Sequence, residues 1–145
     1  MKRLKQIAQN FLFCLFVLVM ATGCKEEEEK FTQFPAPIWQ VNSNTFSANM
    51  TAVVKLPPEL AQYVQSEDQF AAFSGDVCRG TGINIDGLYY VAILGTPDDQ
   101  STIRFRYYNT RNRYLYTTRE LFSFETDQVF GTTDEPEVLT FSIVK

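Results

Sequence analysis

The chain has 145 residues, a formal net charge of -4 and no histidine. The length suits one domain. The missing imidazole removes the usual general base at neutral pH and the commonest transition-metal ligand. The negative charge argues against broad nucleic-acid affinity, which needs an excess of cations facing phosphates.

The first predicted element is a leader, residues 1–23. Lys2, Arg3 and Lys5 mark a positive start, Phe11–Met20 (FLFCLFVLVM) is an unbroken apolar run, and Ala21-Thr22-Gly23 are small residues before Cys24. This is the layout of a cleaved secretory signal. The apolar run falls well short of the roughly 20 residues that a membrane-spanning helix needs. Removing the leader takes three cations from the chain and leaves a net charge of -7.

Ala21-Thr22-Gly23-Cys24 resembles the lipobox of bacterial lipoproteins. The resemblance implies a lipid thioether on Cys24, cleavage before it and acylation of the freed amine. A single myristoyl chain holds a bilayer only marginally, whereas two or three chains on one residue make release very slow. The following Lys25, Glu26, Glu27, Glu28 and Glu29 resemble the export signal of Bacteroidetes-type surface lipoproteins. That resemblance implies a palmitate-bearing protein of the outer membrane, facing the cell exterior. Residues 24–37 are thus expected to hold the lipidated cysteine, the acidic signal and a flexible tether. Pro35 and Pro37 favour extended chain there.

Residues 38–145 read as one all-β domain. Trp39 is expected to plug one end of the core rather than stand exposed as a stacking platform. Phe46–Leu56 alternates, with Phe46, Ala48, Met50, Ala52 and Val54 on one parity. Pro57-Pro58 stops that strand, and 58–65 has room for one short helix. Gln69–Ser74 and Val77–Ile85 are strands, and Asp86-Gly87 is a two-residue hairpin turn into Leu88–Leu94. Thr102–Tyr108 and Arg113–Thr118 form a second hairpin across Asn109–Asn112. Leu121–Glu125 and Glu137–Val144 are further strands. Eight or nine short strands with closely spaced turn signals predict a single antiparallel β-sandwich, Ig-like or jelly-roll-like.

The stretch Gln69–Gly80, ending in Cys78-Arg79-Gly80, resembles a small β-sandwich module of secreted and surface proteins from the same bacteria. In that pattern an aspartate precedes apolar residues, Phe, Gly and Cys-Arg-Gly. The resemblance informs fold and setting and implies no activity. Cys14 leaves with the leader and Cys24 carries lipid, so Cys78 has no disulfide partner. It is expected to be a small buried hydrophobe. Arg79 is expected to pair with Asp68 or Asp76.

The candidate ligand-binding residues are Arg104, Arg106, Tyr108, Arg113, Tyr114 and Tyr116. Five arginines fall between 104 and 119, and arginine beside tyrosine suits acidic sugars through bidentate hydrogen bonds and ring stacking. The competing reading is a solvated sheet face with cross-strand pairs. Asn84–Gly87 lacks the later carboxylates of a calcium loop. Asp98-Asp99 and Asp134-Glu135 are read as loop carboxylates, with a surface calcium site as the alternative. Phosphate-loop, dinucleotide, serine-triad and zinc signatures are absent. The expected function is therefore a non-catalytic binding module without metal or cofactor. It is held to the membrane by lipid and displayed toward an extracellular glycan. A structural or protein-interaction subunit of an envelope complex is the alternative.

Overall fold

The computed structural model describes residues 30–145. The leader, Cys24, Lys25 and Glu26 to Glu29 lie outside the described residues. A 3-10 turn at Ser43–Thr45 precedes β1 (Ala48–Lys55) and the one-turn helix α1 (Pro58–Ala61). Then come β2 (Gln69–Ser74), β3 (Val77–Ile85), β4 (Leu88–Gly95), β5 (Thr102–Asn109) and β6 (Tyr114–Thr118). Four short strands finish the chain: β7 (Phe122–Ser123), β8 (Val129–Phe130), β9 (Glu137–Val138) and β10 (Phe141–Ile143).

The strands form one curled sheet in the order β10-β6-β5-β2-β3-β4-β1-β8, with β7 on β5 and β9 on β1. Strand β3 makes the bend. Its first half pairs with β2 and its second half, from Gly82, pairs with β4. The two halves of the sheet face each other over a core of Met50, Ala52, Val54, Phe70, Tyr89, Val91, Ile93, Ile103, Phe105 and Tyr107. These are alternate positions of β1, β2, β4 and β5, so one parity of each strand faces this core. The Phe70 and Tyr89 rings stack across the interior at 4.5 Å. The free edges meet where Phe122 of β7 stacks on Phe130 of β8, with centroids 4.2 Å apart and planes 8° from parallel.

The alternation predicted for β1 is present, and the β2 and β3 bounds are as expected. Asp86 and Gly87 both have positive φ, 53° and 84°, which is the backbone that a tight two-residue hairpin requires. Three expectations need correction. The single strand at 137–144 is two strands in opposite halves of the sheet. β9 pairs in parallel with β1, β10 pairs antiparallel with β6, and buried Leu139 sits between them in the core. Periodicity cannot mark that crossing, because both pieces are apolar.

The flexible tether ends earlier than residue 37. Phe34 donates its N–H to the Arg113 carbonyl at 2.8 Å, and the Phe31 ring meets Tyr114 edge-on at 5.7 Å. Residues 31–41 are thus a strap laid on the domain. Finally, Trp39 plugs no end of the core. It packs edge-on against Phe73 at 5.4 Å on the outer face of the sheet, where Val41 also covers Ala71 and Cys78.

Candidate functional site

Pairing of β5 with β6 decides the fate of the arginine–tyrosine group. The turn at 110–113 sets Asn109 opposite Tyr114 and Tyr107 opposite Tyr116. Tyr107 points into the core, so Tyr114 and Tyr116 do as well, away from Arg104, Arg106 and Tyr108. A one-residue difference in register reverses every side chain, and the spacing of tyrosines alone carries no register. Tyr116 is 7% exposed and joins the main core, with Tyr114 packed against it. Tyr108 faces outward but is 2% exposed, because the strap lies over it and the Tyr108 hydroxyl donates to the Phe34 carbonyl at 3.0 Å. The six candidates therefore form no exposed platform.

The arginines also separate. Arg106 lies over the Phe73 ring at 4.3 Å and donates to the Asp76 carboxylate at 2.9 Å and to the Gly75 carbonyl. Arg113 sits at the end of the turn with φ of 62° and an exposed side chain. Arg104 is exposed and lines a hollow of about 200 Å³ with Gly75, Thr102 and Leu121.

Arg79 and Gly80 both have structural roles. Arg79 is buried and pairs with Asp99, rather than with Asp68 or Asp76. Its guanidinium lies 4.5 Å from the Phe46 ring centroid and its Nε donates to the Leu94 carbonyl. Burial pushes the Asp99 carboxyl up, but hydrogen bonds from Ser101 and Arg79 outweigh this and hold it at about 2. A Cβ on Gly80 would lie 2.2 Å from the Ala92 carbonyl oxygen, so only glycine fits.

Asp68 is a hub. It accepts from the Gln65 N–H at 2.8 Å, the Thr110 N–H at 2.7 Å, the Thr110 hydroxyl, the Asn109 amide and the Tyr107 hydroxyl. Burial and this carboxylate push the Tyr107 phenol far above its usual range. Cys78 is a free, buried thiol, and burial pushes it up. It stands as the small hydrophobe that was expected. Among the described residues no three His, Cys, Asp or Glu side chains gather as metal ligands.

Two further hollows lay outside the reach of sequence patterns. One, of about 230 Å³, opens at the seam between the sheet edges. Its lining includes Met50, Phe122, Glu125, Gln128, Val129 and Phe130. Leu121 and Val129, the chain neighbours of the stacked phenylalanines, are 53% and 61% exposed. The other, of about 290 Å³, lies at the opposite end beside Tyr63, Asn109, Arg111 and Asn112. Comparison with protein-family models, with curated proteins and with solved structures finds no match.

Proposed function

We propose that this protein is a lipid-anchored, non-catalytic β-sandwich displayed on the cell exterior, and that its seam binds a protein partner. The anchor reading rests on Cys24 with the small residues before it and the acidic run after it. The partner reading rests on one observation. The tyrosines that would stack on sugar pack against the core or lie under the strap, whereas Leu121 and Val129 stand exposed at the seam, Val129 on the rim of the hollow that Met50, Phe122 and Phe130 line together with Ser123, Glu125 and Gln128. Exposed aliphatic groups beside a hollow are the chemistry of a protein contact. The non-catalytic reading is supported by the engagement of Asp68 and Asp99 in structural hydrogen bonds and by the absence of histidine.

A photocrosslinking residue at Val129, on intact cells, tests the partner. A discrete protein adduct is expected, lost on Leu121→Glu and absent when the crosslinker stands at Glu59 instead. A glycan array probed with residues 31–145 should be blank. Saturable glycan binding without any adduct would overturn the protein reading in favour of sugar. Cys24→Ala should abolish incorporation of labelled palmitate, and retained label would overturn the anchor.

A further inference from the structure

We infer that one end of the domain, bearing the β5–β6 turn, the β1–β2 crossover and the β3–β4 turn, rests on the lipid surface to which Cys24 ties the chain. The inference depends on the proposed anchor. Its first support is covalent reach. Phe31 is already seated against Tyr114, and only Lys25–Lys30 separate it from Cys24. The seven residue steps from Cys24 to Phe31 span at most about 25 Å, at 3.3–3.6 Å each. Whatever conformation they take, the β5–β6 turn cannot stand farther than that from the bilayer surface.

Topology brings the other loops to the same end. The crossover 56–68 is bonded to the turn through Tyr63 with Asn109 and Asp68 with Thr110. That crossover leaves β1 at Lys55, which pairs with Leu88 beside the β3–β4 turn. The opposite end holds the 96–101 loop, which follows β4 after Gly95, the partner of Ala48 at the start of β1.

Surface chemistry supplies the second support. Tyr63 is 48% exposed, and Ile83 and Ile85 on the hairpin are 66% and 52% exposed. Arg111 and Arg113 are exposed, and neither is in an ion pair among the described residues. Aliphatic groups that enter the headgroup boundary, tyrosine at that level and arginines that extend to phosphate are what an interfacial surface uses. Glu59, Glu67 and Asp86 share this end, so net charge does not drive the contact, and a zwitterionic bilayer suffices.

The full lipidated protein is reconstituted in phosphatidylcholine vesicles carrying headgroup-nitroxide lipid. Each sample bears one fluorophore, on Glu59→Cys or on Asp98→Cys, in a Cys78→Ala background. Vesicles are first floated on a density gradient. The expected result is loss of fluorescence from position 59 and none from position 98, with the loss reversed by Ile83→Glu combined with Ile85→Glu. Protein that floats but shows equal quenching at the two positions overturns the docking and leaves the anchor standing. Protein that does not float overturns the anchor, and the docking with it.

Discussion

Asp68 gathers hydrogen bonds from the crossover, from β5 and from the turn that follows it, so one carboxylate ties three segments at one end of the sheet. Every partner of Asp68 is a donor. In Asp68→Asn the new amide would set its own donor against theirs, leaving buried groups unpaired. The expected cost is about 2–4 kcal/mol, read from the urea midpoint of residues 31–145. An unchanged midpoint would remove the hub from the account. Arg79–Asp99 makes a separate prediction about pH. The Asp99 carboxyl titrates in the fold at about 2, below its ordinary 3.8. A depressed carboxylate stabilises fully above its unfolded value and loses that contribution as pH falls through the folded one. Stability of the natural domain should therefore fall between about pH 4 and pH 2. Asp99→Asn should be less stable at pH 7 and show a flatter profile across that window in thermal melts. The sequence made Arg79 visible as a motif member and Asp68 as one of its candidate partners. It could not say which carboxylate Arg79 takes, because Asp99 comes from a loop twenty residues away.

At the scale of the element, legibility followed burial on a regular ladder. The parity of β1 and β5 is readable because each strand has one dry face, and the hairpin at Asp86-Gly87 is readable because its backbone demands that chemistry. The strap is different. Its prolines suit extended chain equally well in solvent and on a sheet face. Only the partners decide: Phe34 with Tyr108 and Arg113, and Trp39 with Phe73. The strap should hold the outer face closed. Trp39→Ala is expected to cost about 2 kcal/mol, less than a fully buried ring because Trp39 is partly exposed. A domain that starts at Asn42 should be less stable still. It should also expose Cys78, the single thiol of residues 31–145, so that an aromatic disulfide reagent reacts with it in the native state far faster than in the strapped domain. Equal rates would show that the strap does not cover that face.

For the whole molecule, the class of fold was open to reading from strand spacing, while the site was not. Register turned Tyr114 and Tyr116 inward, the strap covered Tyr108, and closure of the sheet created the seam between β7 and β8, two strands too short for any periodicity. The proposed setting and display rest on the other end of the chain. Under the proposed anchor, the four consecutive glutamates after Cys24 would come within a few residues of the bilayer and would serve recognition by an export machinery. Changing Glu26, Glu27, Glu28 and Glu29 together to Gln should leave the stability of residues 31–145 unchanged, since none of the four belongs to that segment. Palmitate labelling should also persist, because Cys24 and the residues before it are untouched. What should change is the face of the membrane. Protease added to intact cells is expected to degrade the natural protein and spare the variant, while both are degraded after the outer membrane is opened. If intact cells lose both proteins at the same rate, the acidic run is a spacer and display must be set elsewhere in the chain.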